Sequence, residues 1–201
     1  MCRFGLLAFV LCVAASLSFA GEFNSTRSIG DEAPMWKSLP GVDGKEHSLA
    51  DLDAKKPIVV VFTCNSCPIA TDYEDRIIEA AKKFADQVNF VAINVNRVPE
   101  DSLAKMKTRA ENKKFPYPYL FDESQQIAKD YGAVFTPEFF LLNSDRKIVY
   151  MGGLDDNSDA SQVKVKYLEP AIEAVLKGGK PETQETAARG CRIRFANSRR
   201  Q

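Results

Sequence analysis

Apolar positions along the chain fall into unbroken runs and into helical spacings. The run from Ile58 to Phe62 has no polar interruption, which predicts a fully buried strand of a parallel sheet. Between Tyr73 and Phe84, apolar side chains recur every three to four residues and charged side chains fill other positions, as in an amphipathic helix. Val88 to Val95 predicts a second strand, so these segments form a strand–helix–strand unit with a right-handed crossover.

Shorter elements are predicted on both sides of this unit. The turn signal Asp43-Gly44 predicts an N-terminal hairpin. Further along, two apolar runs separated by a polar turn predict a second, antiparallel hairpin. The later elements are a helix at 101–112, a strand at 119–121, a helix at 123–131, strands at 138–142 and 147–151, and a helix at 163–176. We expect this last helix to bend or restart at Pro170.

The N-terminus has the pattern of a targeting segment. Residues 1–20 carry one positive charge, at Arg3, then an apolar stretch, and they end in small residues at Ala20. This is typical of a secretory signal peptide, so we expect an exported protein, periplasmic or extracellular. No segment approaches the ~20 apolar residues of a stable membrane span.

The mature chain is expected to hold one domain between two flexible ends. Small and polar residues at 21–28 predict a flexible lead, residues 29–178 form the domain, and the arginine-rich segment 179–201 predicts a flexible basic tail. The chain has 27 basic and 27 acidic residues, a balance that does not favour nucleic acid as a partner.

Two cysteines, Cys64 and Cys67, directly follow the first predicted strand. Two thiols at this spacing in a first helical turn can close into a small disulfide, and the helix N-terminus favours the thiolate of Cys64. Pro68 requires the helix to begin near Cys64 or to kink just after Cys67. The pattern predicts redox chemistry in which the outer sulfur, that of Cys64, attacks and the inner one, that of Cys67, resolves.

Other readings of the pair are a zinc site and two inert core thiols. A zinc site needs two further ligands, and the chain offers only His47 and Cys191, in no recognisable ligand spacing. We therefore expect no bound metal and no organic cofactor.

A third thiol, Cys191, remains after the signal peptide is removed. An odd number of cysteines argues against a purely structural disulfide framework in an exported protein. Neighbouring arginines would lower the pKa of this thiol. One hypothesis is that Cys191 exchanges with the Cys64–Cys67 pair or tethers another molecule, and the alternative is a dangling thiol without a role.

The order of these elements resembles the thioredoxin-like fold. Four matches carry the resemblance: Cys64-Asn65-Ser66-Cys67 after the strand, Thr136-Pro137 before the later hairpin, Gly152-Gly153 after it, and the stretch from Asp122-Glu123 to Tyr131-Gly132. More narrowly, the pattern Cys-Asn-x-Cys-Pro is similar to exported redoxin-domain proteins of the AhpC/TSA type, a branch that includes periplasmic thiol–disulfide oxidoreductases and peroxiredoxins.

This resemblance implies an α/β fold with a central mixed sheet flanked by helices, an N-terminal hairpin and an inserted helical section. It implies that Cys64 forms the mixed disulfide and Cys67 resolves it. Pro137 would be a cis-proline beside the pair, and Thr136 would offer its backbone to an extended substrate. The implied partners are protein thiols and disulfides together with an unidentified recycling protein.

The glycine loop is also implied to lie close to the cysteines. There Asp155 or Asp156 could tune the Cys67 thiol or accept a proton, and the alternative is an ordinary solvated acidic loop. Thr63 and the pair Asn65-Ser66 depart from the thioredoxin pattern, so the direction of electron flow stays open.

Two other functions are weighed against this activity. In peroxiredoxins the attacking cysteine precedes a proline, as Cys67 precedes Pro68, but Cys64 stands where those enzymes have a threonine, and their arginine before the later strand is absent. Copper proteins of related fold use two cysteines and a downstream histidine, whereas His47 lies upstream here.

Overall fold

The computed structural model describes residues 21–196, and the expected signal peptide lies outside them. The described part contains nine strands, several of them only two residues long, and four α-helices. In chain order the elements are β1 (Leu39–Pro40), β2 (Glu46–His47), β3 (Ile58–Phe62), α1 (Pro68–Lys83), β4 (Asn89–Asn94), α2 (Leu103–Lys113), β5 (Tyr119–Phe121), α3 (Gln126–Tyr131), β6 (Phe135–Thr136), β7 (Glu138–Leu142), β8 (Ile148–Gly152), α4 (Leu168–Leu176) and β9 (Cys191–Arg192).

Five strands form the central sheet in the order β5-β4-β3-β7-β8. Its middle strand, β3, is parallel to β4 and antiparallel to β7, so the sheet is mixed. Alternate β3 side chains belong to two apolar clusters, one covered by α1, α2 and α4 and the other by α3 and the N-terminal segment. An uninterrupted apolar run suits a strand that is covered on both faces.

The predicted α/β fold with its mixed, helix-flanked sheet is confirmed. β3 and β5 have the predicted bounds, and β1 and β2 form the predicted hairpin as a small separate sheet. Between β4 and β7 the inserted section contributes α2, β5 and α3. The closing helix is shorter than predicted, because it begins at Leu168 and thereby places Pro170 in its first turn, where proline is tolerated.

Both ends of the described chain differ from the predicted flexible segments. In the lead, Asn24 is 3% exposed and its amide donates to the Tyr131 carbonyl at 2.9 Å. In the tail, β9 pairs antiparallel with β6, and Ile193 is 6% exposed in the core. The prediction of a flexible tail is therefore wrong up to residue 196, because composition does not reveal which backbone groups an irregular segment can pair with.

Candidate active site

The two cysteines lie at the carboxyl end of β3, just before α1. α1 begins at Pro68, with Cys67 as its N-cap. Proline suits the first position of a helix, and its ring disfavours a helical conformation in the residue before it. Cys67 accordingly has extended backbone angles, with φ −97° and ψ 114°.

This helix boundary corrects the prediction that both thiols lie in a first helical turn. Because Cys64 precedes the N-cap, the helix terminus acts on Cys67 instead. The Cys67 Sγ accepts a hydrogen bond from the Ala70 N–H at 3.3 Å. Since a helix N-terminus favours an anion, this position favours a thiolate at Cys67, whereas the sequence predicted one at Cys64.

The two cysteines pack together in one buried cluster, and the sulfur of each reaches Thr136. The Cys64 Sγ lies 3.3 Å from the Thr136 Oγ1, and the Cys67 Sγ lies 3.2 Å from the Thr136 carbonyl oxygen. Each cysteine is only 2% exposed, and neither is in a disulfide. The structure therefore holds a buried, reduced pair.

The pKa values of the two thiols move in opposite directions. The hydrogen bond from Cys64 lowers the pKa of Cys67 to about 5, with further stabilisation from the backbone N–H of Ala70 and from Cys191. The same hydrogen bond raises the pKa of Cys64 above its ordinary value, and burial and the negative charge of Asp101 raise it further. The opposite directions of the two shifts favour ionisation of Cys67 over ionisation of Cys64, although the protonated Cys67 also donates to the Thr136 carbonyl.

The Thr136–Pro137 peptide bond is cis, as predicted. The next residue, Glu138, holds this loop, because its Oε2 accepts the backbone N–H groups of Val134 and Phe135 at 2.8 and 3.0 Å. Burial raises the pKa of Glu138 to about 7. Sequence reasoning missed this buried carboxyl, since a single glutamate in an apolar strand gives no signal of its partners.

A second buried carboxylate, Asp101, was also missed. It is 0% exposed and accepts the backbone N–H of Asn65 at 2.6 Å and the Ser66 hydroxyl at 2.5 Å. The Ser66 oxygen in turn lies 3.8 Å from the Cys64 Sγ. Asp101 therefore fixes the loop between the cysteines and is joined to Cys64 through one hydroxyl.

Cys191 lies at the pair as well, although it is far away in sequence. It packs against the cluster of Cys64, Cys67 and Ala70, and the pairing of β9 with β6 places it opposite Thr136. Burial, the hydrogen bond to Cys67 and the charge of Cys67 together raise the pKa of Cys191 to about 11. This net direction is opposite to the predicted effect of the neighbouring arginines, because the lowering by Arg194 is smaller than these effects.

The sequence from residue 29 to residue 151 matches the model of the AhpC/TSA family. This segment contains the cysteine pair, Thr136 and Pro137. The chain belongs to the AhpC/TSA family. A comparison with curated proteins gave no match.

Several solved structures are similar to this chain. An uncharacterized conserved protein from Geobacillus kaustophilus is 36% identical, with a TM-score of 0.79, over 85% of this chain and 94% of that one. A hypothetical protein from Sinorhizobium meliloti 1021 is 31% identical, with a TM-score of 0.80, and the match covers 86% of this chain and 97% of that one. A peroxidoxin from Mycobacterium tuberculosis is 23% identical, with a TM-score of 0.58, over 75% of this chain and 96% of that one, and it shows the fold alone.

AhpC/TSA proteins are in general redox enzymes, either thiol–disulfide oxidoreductases or peroxidases. Within residues 21–196, no group of three or more His, Cys, Asp or Glu side chains is arranged to hold a metal ion. His47 instead bonds Asp43 on the N-terminal hairpin. None of the helices described is long and apolar enough to cross a membrane.

The two acidic candidates of the glycine loop take structural roles in this AhpC/TSA chain. Asp155 is 4% exposed and pairs with Arg76 on α1. Asp156 accepts the backbone N–H groups of Lys164 and Val165 at 2.9 and 3.1 Å. The described contacts of both carboxylates lie within their own loop and with α1, and the carboxylate that reaches the cysteine loop is Asp101.

Proposed function

We propose that this protein is an exported thiol–disulfide oxidoreductase in which Cys64 and Cys67 cycle between a dithiol and a disulfide. The observation that carries the proposal is that the two buried sulfurs lie in one cluster at the end of β3 and that both reach Thr136. Protein disulfides are the substrates, since Thr136 and Pro137 occupy the position where proteins of this fold receive an extended segment.

The first step is attack by the Cys67 thiolate on a substrate disulfide. A bond forms between Cys67 and one substrate sulfur, while the other substrate sulfur leaves as a thiolate. Cys64 then attacks the Cys67 sulfur, which forms the Cys64–Cys67 disulfide and releases the second substrate thiolate. The substrate gains two electrons, and the cysteine pair loses two.

Cys64 must lose its proton before it can resolve the mixed disulfide. The Ser66 hydroxyl donates to Asp101 at 2.5 Å, and it also lies within 3.8 Å of the Cys64 Sγ, to which it can donate instead. In the mixed disulfide the Cys67 thiolate is gone, so the interaction that most raises the pKa of Cys64 is removed. We therefore assign Asp101, acting through Ser66, as the group that accepts the Cys64 proton before Cys64 attacks the mixed disulfide.

The low pKa of Cys67 bears on the direction of electron flow. A stable thiolate favours the reduced state of the pair, which makes the disulfide more oxidising. The Ala70 N–H at the start of α1 favours this thiolate, in keeping with the lowered pKa of Cys67. We therefore place the pair on the oxidising side of thioredoxin, as a protein that exchanges disulfides or donates them.

The reduction potential tests this function. A Cys191→Ser chain is equilibrated in glutathione buffers, and the Cys64–Cys67 disulfide is quantified by alkylation and mass spectrometry. We expect a potential between about −270 mV, the value of thioredoxin, and about −120 mV, the value of a strong disulfide oxidant. A potential at or below −270 mV would contradict the oxidising assignment, and failure to form the disulfide would overturn the function itself.

A peroxidase is the second candidate, favoured by the single observation that the thiolate belongs to Cys67, which precedes Pro68 at the start of α1. Hydrogen peroxide would oxidise Cys67 to a sulfenic acid and release water, after which Cys64 would condense with it. Cys64 stands at the position of the threonine that assists peroxide in peroxiredoxins. We therefore expect hydrogen peroxide to be consumed far more slowly than protein disulfides react, and the reverse order would favour the peroxidase.

A further inference from the structure

The tail strand β9 lies where an extended substrate is expected to bind. β6 carries Thr136, the residue before the cis-proline, and β9 pairs with it in antiparallel register, with Cys191 opposite Thr136. Pairing to a free backbone edge is how sheet proteins commonly bind an extended peptide. The chain thus supplies its own extended segment, with a cysteine at the position that faces the thiol pair.

The residue before Cys191 is suited to this close approach. A Cβ added to Gly190 would lie 2.1 Å from the Thr136 carbonyl oxygen and 3.1 Å from the Pro137 nitrogen. Real Cβ atoms essentially never come that close to backbone atoms, so only glycine lets the tail lie against this loop.

The residues after Cys191 hold the strand in place. The Ile193 N–H donates to the Val134 carbonyl at 2.9 Å, and the Ile193 side chain is buried. Gln125 donates to the Arg194 carbonyl at 3.0 Å and accepts the Ala196 N–H at 2.7 Å. The position of Cys191 is therefore fixed from both sides by contacts that do not involve sulfur.

We propose that Cys191 is a third redox-active thiol and that β9 is an internal substrate, which forms a disulfide with Cys67. The inference rests on the proposed function, because that activity supplies the Cys64–Cys67 disulfide. It goes further by assigning a covalent partner within the chain.

The exchange needs no added oxidant. The Cys191 thiolate attacks the Cys67 sulfur of the Cys64–Cys67 disulfide, so a Cys67–Cys191 bond forms and the Cys64–Cys67 bond breaks. Cys64 leaves as a thiolate and takes up the proton that Cys191 gave away. The number of electrons on the protein does not change. After the exchange Cys64 is a free thiol, and Cys67 remains in a disulfide, now with Cys191.

The test is to map disulfides in the purified chain after equilibration with oxidised glutathione and rapid alkylation. Peptide mass spectrometry separates the three thiols from the two cysteines of residues 1–20. In a Cys64→Ser chain we expect more than about nine-tenths of Cys67 to be joined to Cys191, an equilibrium that corresponds to roughly a tenfold preference. A Cys64→Ser chain in which Cys191 stays free, or carries only glutathione, would overturn the proposal.

Two further variants separate this proposal from the proposed function. Gly190→Val keeps all three cysteines but blocks the approach to Thr136. We expect the chain that combines it with Cys64→Ser to lose at least about tenfold of the Cys67–Cys191 disulfide. An equal yield would overturn the role of β9. Cys191→Ser keeps only the pair, so loss of the Cys64–Cys67 disulfide there would count against the function and not against this inference.

Discussion

At the scale of single residues, the site depends on which atom receives which hydrogen bond. Cys64 and Cys67 have the same low exposure, yet their pKa values move in opposite directions, chiefly through their interaction with each other and to a smaller extent through the Ala70 N–H at the helix N-terminus. Pro68 carries this information in the sequence, since it restricts the residue before it. The contact between Ser66 and Asp101, in contrast, could not be predicted, because no local pattern in the sequence indicates that two residues 35 positions apart lie together.

Glu138→Gln tests the buried carboxyl beside the cis-proline. Burial raises the pKa of Glu138 from 4.5 to about 7, so its protonated form is favoured by folding. The stability it provides is complete below pH 4.5 and is lost as the pH rises through 7. We expect Glu138→Gln to gain up to about 3 kcal/mol in free energy of unfolding relative to the parent chain between pH 4.5 and pH 8.

The measurement is urea denaturation of both chains at the two pH values. Glu123→Gln is the matched control, since that side chain is 74% exposed and should show no pH-dependent difference. A constant difference between Glu138→Gln and the parent chain at both pH values would contradict the prediction.

At the scale of elements, α1 carries the thiolate and is held by its neighbours. Glu74 on α1 is 6% exposed and receives two hydrogen bonds of 2.8 Å from Arg109 on α2. Arg76, on the same helix, bonds the Asp155 loop. These pairs fix α1 against α2 and against the loop after β8. They thereby fix the N-terminus of α1, whose Ala70 N–H donates to the Cys67 sulfur.

Arg109→Ala should be costly because it leaves the Glu74 carboxylate buried without its main partner. We expect a loss of about 2 kcal/mol in free energy of unfolding, less than the ~3–5 kcal/mol of a fully buried pair because the Arg109 side chain is 34% exposed. Lys83→Ala is the control, since Lys83 is 48% exposed and its pairs with Glu169 and Glu173 are worth ~0–1 kcal/mol. If chemical denaturation gave the same loss in free energy of unfolding for Arg109→Ala and Lys83→Ala, the prediction would be wrong.

At the scale of the whole molecule, the tail closes the active site. It runs along β8, where the Met151 N–H donates to the Gln184 carbonyl, and then crosses to β6. The pair is buried in this arrangement, so under the proposed function a substrate would reach it only after the tail moves. Docking of the tail and access to the Cys67 sulfur are therefore coupled.

Gln125→Ala should loosen the tail without touching a cysteine. The change removes the bonds from Gln125 to Arg194 and Ala196, and we expect Cys67 to react with iodoacetamide about tenfold faster, which corresponds to ~1.4 kcal/mol of lost docking. The amide of Ile193 should also exchange its hydrogen faster. Gln126→Ala is the matched control, because that neighbouring side chain is exposed and bonds only Asp130 among its described contacts.

Unchanged alkylation in Gln125→Ala would mean that the tail does not control access. Faster alkylation in both variants would point to a general loss of stability, which the melting temperature of each chain would reveal.

The amino-acid sequence alone predicted most of the elements and singled out the two cysteines between a strand and a helix. Local patterns carry this information, because apolar periodicity selects strands and helices, and the pattern from Cys64 to Pro68 marks a strand-to-helix junction. The resemblance added the cis bond at Thr136–Pro137, which the structure contains.

Only the tertiary structure decided which groups meet at the pair. Asp101, Glu138 and Cys191 reach the site through pairings between distant segments, and composition wrongly predicted a flexible tail. The acidic residues of the glycine loop have the right chemistry but contact other groups. The physical reason is that buried backbone groups and charges must find partners, and these partners are set by how the chain folds back on itself.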